Sequence, residues 1–210
     1  MTNYILQLIA GIPGLIIAMS VHEYAHARMA VAFGDFTPKM MGRLTLNPAA
    51  HIDPIGLIML LICQFGWAKP VMINPRNFKD PARDDILVSL AGPLSNLVTA
   101  FLFLLLLLVL RTHGVLSSGT LLVFTLIVEY NIGFAIFNLI PVPPLDGSHV
   151  LVRLLPRDLA YSYARLERYS FLILVVMLMT PILSYILVPL RAVIYHLFFQ
   201  ILSLFSGILF

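Results

Sequence analysis

Charged side chains are scarce in this 210-residue chain: 13 Lys plus Arg and 10 Asp plus Glu make up 11% of it. A soluble domain carries about a quarter of its residues as charges, so too little polar surface is present to coat a water-soluble globule. With 60% hydrophobic residues and a mean hydropathy of +0.96, a soluble enzyme and a disordered tail are both excluded, and a membrane protein is left. Cysteine is nearly absent as well. The single thiol, Cys63, cannot close an internal disulfide, which excludes a disulfide-stapled secreted scaffold. An acidic balance is also missing, the formal charge being +3. In a membrane chain Lys and Arg chiefly mark the cytoplasmic side, so this excess is read as topology and no nucleic-acid partner is expected. No Lys or Arg precedes the apolar stretch from Tyr4 to Val21, as a cleaved signal would require, and this stretch is expected to stay attached.

Long apolar runs are what the sequence does have. A helix needs about 20 apolar residues to cross the hydrocarbon core. Four runs qualify: Tyr4 to Phe33, Ile86 to Leu110, Thr120 to Ile140 and Tyr169 to Leu190. A fifth, Ala192 to Phe210, carries His196, Gln200 and Ser203 at helical spacing and either spans or lies in the interface. Between the first two runs, prolines at 38, 48, 54, 70, 75 and 81 forbid continuous helix. There Gly42 to Leu46 alternates small or polar with larger residues, which predicts a short strand or hairpin. Ile55 to Phe65 is too short to cross and predicts a half-buried, re-entrant helix. The expected architecture is an all-α polytopic membrane protein: about five transmembrane helices, one half or re-entrant helix and a short membrane-associated β-hairpin. It forms one membrane-embedded domain over 1–210, with a catalytic core at about 4–155 and C-terminal helices at 169–210.

Charge placement supports the non-crossing half-helix. Arg28, Lys39, Arg43, Lys69, Arg76, Lys79, Arg83, Arg153, Arg157, Arg165 and Arg168 then share one side, opposite Arg111 and Arg191. The positive-inside rule puts loops 34–85 and 141–168 in the cytoplasm and the amino terminus outside.

The first run holds His22-Glu23-Tyr24-Ala25-His26. On a helix, histidines at i and i+4 share a face and can bind one zinc ion, while the glutamate beside the first can reach a water at the metal. A lone intramembrane histidine is ordinarily a packed, hydrogen-bonded residue. Two of them around a glutamate at membrane depth call for a compensating cation. A catalytic zinc normally takes three protein ligands, and Asp146 is the best candidate for the third. It follows a proline-rich stretch just past the third run, on the same side of the membrane as His22 and His26. Taken alone, Asp146-Gly147 reads as an ordinary turn. Glu129, Asp53 and Glu167 are competing carboxylates. Glu129 is also a possible intramembrane charge in need of an explanation, beside Tyr130 and Asn131.

His22-Glu23-Tyr24-Ala25-His26 together with Asn138-Leu-Ile-Pro-Val-Pro-Pro-Leu-Asp146-Gly147 resembles the site-2 protease family of intramembrane zinc metalloproteases. The likeness extends through Gly42-Arg-Leu-Thr-Leu-Asn-Pro48, Phe65-Gly-Trp-Ala-Lys-Pro70, Asn74-Pro-Arg-Asn77 and Ser89-Leu-Ala-Gly-Pro-Leu-Ser-Asn96, over roughly residues 15 to 155. The variety it most resembles is the compact bacterial kind without PDZ or CBS domains. The resemblance implies one zinc per chain held by His22, His26 and Asp146, with Glu23 as general acid and base. It also implies that Asn96, four residues after Gly92, and Asn138 hold the substrate backbone; helix-to-helix hydrogen bonding is the plainer use of such asparagines. His149 reads as a residue behind the ligands, His51 and Asp53 as holding a turn, and Trp67 and Lys69 as an interfacial anchor or a substrate gate. The expected reaction is hydrolysis of peptide bonds in or near transmembrane segments of membrane-protein substrates, in the cytoplasmic membrane with the site toward the cytoplasm. A metal-ion transporter would spread its ligands over several depths, and a non-catalytic binder would have lost Glu23 or a ligand.

Overall fold

A computed structural model describes residues 2–56 and 68–204, with side chains from residue 5 onward. Three long helices form its centre: α1 (Thr2–Ala32), α2 (Pro81–Thr112) and α3 (Ser118–Leu139). Local chemistry sets their ends. Asp80 caps α2 by accepting from the Arg83 amide at 3.2 Å, with Pro81 in the first turn where its missing N–H costs nothing. Ser117 caps α3 through the Thr120 amide at 3.1 Å, and Gly114, at φ 67°, supplies the left-handed residue that turns the chain between the two. After the Pro141–Leu145 turn come α4 (Asp146–Leu154), α5 (Arg157–Ala164), α6 (Ser170–Met179) and α7 (Ile182–Ser203).

Among the described residues four helices are long and apolar enough to cross a membrane: Ile5–Ala32, Pro81–Thr112, Ser118–Leu139 and Ile182–Ser203. This is a multi-pass membrane protein. Small residues let the central helices approach closely: Ala18, Ala27 and Ala30 of α1 are fully buried, as is Ala100 of α2. The run Gly11-Ile-Pro13-Gly14 does not end α1. Its glycines make room for Tyr130 of α3, since a Cβ on Gly11 would lie 2.6 Å from the Tyr130 hydroxyl. Helix α7 leans on this centre from outside, with Leu202 joining Ala100, Leu104, Val128, Ile132 and Ile136 in one apolar cluster.

Two expectations are corrected. Residues 42–46 form turns and bends, not a strand or hairpin. Gly42 has φ 68°, the Arg43 amide turns back to Pro38 O at 2.8 Å, and Thr45 O accepts from His51 Nε2 at 2.8 Å. These local bonds use the groups a ladder would need. The β-pairing seen among the described residues is an isolated antiparallel bridge between Ile52 and Ala68. The second correction concerns the carboxy-terminal runs. Tyr169 to Leu190 is not one span, because the chain breaks at Thr180-Pro181. Pro181 has no N–H to donate, and the residue before a proline avoids helical torsions; Thr180 sits at φ −115°, ψ 161°. The ten residues of α6 rise only about 15 Å, too short to cross. Residues 182–203 then form one helix through the anticipated boundary at 190–192, so the candidate spans among the described residues number four where about five were expected. The re-entrant helix expected at 55–65 and the anchor Trp67 lie outside the described residues for all but residues 55 and 56.

Candidate metal and catalytic site

The His-Glu-x-x-His run lies on a continuous stretch of α1, so helical periodicity alone turns His22 and His26 to one face. That face meets α2 and the start of α4. The Nε2 atoms of His22 and His26 are 3.0 Å apart, and Asp146 Oδ2 lies 3.1 Å from the first and 3.2 Å from the second. Both histidines are buried.

The partners behind the rings define which nitrogens carry protons. His26 Nδ1 donates to the Val88 carbonyl at 2.7 Å, an atom that can only accept. His22 Nδ1 donates to Asn96 Oδ1 at 2.7 Å. The Asn96 amide cannot be turned the other way, because its Nδ2 donates to the Ala18 carbonyl at 2.9 Å and to Asn131 Oδ1 at 3.0 Å. Neutral imidazoles protonated at Nδ1 present bare lone pairs at Nε2. Two such nitrogens and one carboxylate oxygen therefore converge with no hydrogen among them, and Asp146 Oδ2 is buried without a donor. One divalent cation satisfies all three atoms together. Tetrahedral zinc ligands at 2.0–2.2 Å from the metal sit about 3.3 Å from one another, which the observed triangle fits closely.

Two glycines make this convergence possible. A Cβ on Gly92 of α2 would lie 2.4 Å from His26 Nε2 and 2.6 Å from His22 Cε1. A Cβ on Gly147 would lie 2.3 Å from the Leu139 carbonyl oxygen, main chain that cannot yield. Asp146 is carried by the first turn of α4, which Arg153 ties to the buried Asp85 of α2 at 2.7 Å. Phe134 of α3 sets its ring edge-on to His22, centroids 5.4 Å apart.

Glu23 stands beside this triangle, half-buried, and its Oε2 accepts from the Val71 amide at 2.9 Å. Asn138 is half-buried, and its Nδ2 donates to Phe134 O of its own helix at 3.0 Å. The competing carboxylates are elsewhere. Asp53 caps the turn after it through the Ile55 amide at 2.8 Å, Glu167 is exposed, and Glu129 pairs with Arg191 and accepts from the Tyr195 hydroxyl at 2.8 Å. His149 is exposed. His51 is fully buried and braces the 45–51 turn. Val88, Val71, Asp85 with Arg153, and Phe134 were not anticipated from the sequence. Two of them act through main-chain atoms, which leave no sequence signal.

Comparison with known proteins bears on the same residues. The chain is 42% identical over 180 residues to "Putative zinc metalloprotease YwhC" of Bacillus subtilis (strain 168), covering 83% of this chain and 82% of that one. The chain belongs to peptidase family M50, the site-2 proteases. The model of that family matches residues 113–181, which include the Asp146 turn. The chain is also 34% identical over 188 residues, 87% of this chain and 71% of the other, to "Putative zinc metalloprotease Rip2" of Mycolicibacterium smegmatis (strain ATCC 700084 / mc(2)155). Rip2 of Mycobacterium tuberculosis (strain ATCC 25618 / H37Rv), under the same printed name, is 33% identical over 181 residues, 82% of this chain and 68% of the other. No solved structure matches. As a member of M50 this protein is a zinc-dependent metallopeptidase, and its ion is Zn2+.

Proposed function

We propose that this site-2 family member is an intramembrane endopeptidase that cuts membrane-protein substrates in or near their transmembrane segments, in regulated intramembrane proteolysis. The observation that carries it is the convergence of His22, His26 and Asp146 on one point, with Glu23 beside it, in a chain whose long helices are apolar enough to cross a membrane. His22, His26 and Asp146 hold the zinc. When bound, that ion supplies a Lewis acid that acidifies water and polarises a peptide carbonyl. Glu23 accepts the proton of the attacking water at its carboxylate and delivers it to the leaving nitrogen. The Nδ1 donors to Asn96 and Val88 keep both imidazoles in the tautomer that offers Nε2. A helical substrate shields its own peptide bonds, so it unwinds locally before cleavage. Asn138, bonded only within its own helix turn among the contacts seen, is the candidate to hold the freed substrate backbone. Asn96 serves His22, and a direct grip on substrate would require its present bonds to open.

The whole chain forms one protease domain in the cytoplasmic membrane, with the loops around the site facing the cytoplasm. Positive-inside bias supports that sidedness, and it sharpens once Arg191 is placed within α7 and not in a loop. Transport of a metal ion is not favoured, because the three ligands sit at one level.

Glu23→Gln tests the reading. The variant is expected to keep about one zinc per chain, the ligand set being intact, and to lose cleavage of a model transmembrane substrate by about two to four orders of magnitude. Cleavage near the wild-type rate by a zinc-loaded variant would remove Glu23 from the chemistry.

A further inference from the structure

Between Ala68 and Pro75 the chain forms neither helix nor strand, and three main-chain amides tie it down. Lys69 N–H donates to the His51 carbonyl at 2.8 Å, Val71 N–H to Glu23 Oε2 at 2.9 Å, and Asn74 N–H to Asp35 Oδ2 at 2.7 Å. The outer two posts are firm. His51 is fully buried and bonded to Thr45 O. Asp35, also fully buried, further accepts from the Thr37 amide at 3.1 Å, Thr37 Oγ1 at 2.5 Å and Asn77 Nδ2 at 2.8 Å. Burial by itself raises the pKa of the Asp35 carboxyl, but those donors hold it below its ordinary value, so the post stays ionised at neutral pH. A strap fixed at residues 69 and 74 thus lays one amide on the carboxylate of α1 that adjoins the metal ligands.

We propose that Val71 is a positioning residue, its main-chain amide holding Oε2 of Glu23 so that Oε1 is presented for proton transfer. The proposal rests on the reading of Glu23 as the proton carrier. A glutamate has three rotatable bonds. Next to His22 an untethered carboxylate can swing toward the ligand triangle and compete for the position that water and substrate must take. A hydrogen bond from an amide to an ionised carboxylate is short, directional and stronger than a neutral one, and it removes that freedom before substrate arrives. Because the donor is main chain, the side chain at 71 is free to vary while the function is kept.

The test compares Val71→Pro, which removes the N–H, with Val71→Ala, which keeps it, in the full chain purified with zinc. Val71→Pro is expected to lower kcat by about tenfold or more, the loss typical of one bond to a charged group, with KM, zinc content and melting temperature near wild type. Val71→Ala should match wild type in all four. A zinc-loaded Val71→Pro with wild-type kcat overturns the proposal, and so does an equal loss of kcat in Val71→Ala. If Val71→Pro does not fold, hydrogen exchange decides. Protection of the Val71 amide should fall in Glu23→Ala while that of Lys69 and Asn74 persists, and unchanged protection at Val71 overturns the contact. Loss of kcat in Glu23→Gln but not in Val71→Pro removes the positioning role alone. Wild-type kcat in Glu23→Gln removes the catalytic reading beneath it.

Discussion

At the scale of the residue, the metal site depends as much on what is missing as on what is present. Gly92 has no side chain where a Cβ would meet His26 Nε2 at 2.4 Å. Gly92→Ala is therefore expected to push the imidazoles off their shared point, lowering stability by about 1–3 kcal/mol as overpacking does, and to reduce zinc occupancy. Elemental analysis and a melting curve check it, and full zinc at an unchanged melting temperature would contradict it. The two asparagines should part company under the same treatment. Asn96→Ala strips His22 Nδ1, the Ala18 carbonyl and Asn131 of a partner, so zinc affinity should drop by about 10–100-fold, as when a group behind a metal-ligating histidine is lost. Asn138→Ala removes only the side-chain donor to Phe134 O, and it should weaken cleavage while leaving zinc in place. Zinc loss by both variants, or by neither, would erase the distinction drawn between them.

At the scale of the element, α7 is the least buried of the four candidate spans, and it is attached to α3 near the middle of both. Arg191 pairs with Glu129, and Tyr195, one turn on, donates to the same carboxylate at 2.8 Å. Two opposite charges at mid-span cost little only while they remain together. Arg191→Met should lower stability in detergent by about 1–3 kcal/mol, since it leaves the glutamate unpaired. Adding Glu129→Gln should recover much of that loss, because the double variant no longer carries a lone intramembrane charge. Thermal denaturation of the two single variants and the double variant measures the coupling, and strict additivity would show that the pair does not fasten α7.

At the scale of the whole molecule, the proposed sidedness rests on the distribution of cations. In a Cys63→Ser background, single cysteines at Arg76 and Leu159 should be labelled only from the cytoplasmic side, and one at Val115 only from outside. Arg76 lies in the segment between α1 and α2, Leu159 in α5 between α3 and α7, and Val115 in the short turn between α2 and α3; all three are exposed. External labelling of the first two would invert the orientation. Opposite labelling of Arg76 and Leu159 would break the model in which α2 and α3 form one membrane hairpin between them.

The membrane class, three of the long helices and the pair His22 and His26 were legible in the sequence because each is a local property. Apolar length, capping residues and an i, i+4 repeat act over a few turns of one chain segment, and no distant partner is needed to make them true. From residue chemistry alone Asp146 was the best of several carboxylates, and the family resemblance of the stretch around it pointed to the same residue. What brings it to the two histidines is the packing of α4 on α2, through Arg153 and Asp85 and through glycines at 92 and 147 that admit no Cβ. The use of Asn96 by His22, of the Val88 carbonyl by His26 and of the Val71 amide by Glu23 joins positions 74, 62 and 48 residues apart. The last two involve main-chain atoms that every residue possesses. Glu129 stood out as a charge in a span, but its partner became visible only when Pro181 restarted the helix and brought Arg191 onto the face of α3. The strand expected at 42–46 failed for the complementary reason: alternation in sequence makes a strand only where a neighbouring edge exists, and here turns take the hydrogen bonds first. Composition and periodicity thus determined that the chain lies in a membrane and carries two imidazoles on one helix face. Tertiary packing decided which carboxylate meets them and which main-chain amide meets Glu23, because those choices depend on the close approach of segments that sequence distance does not encode.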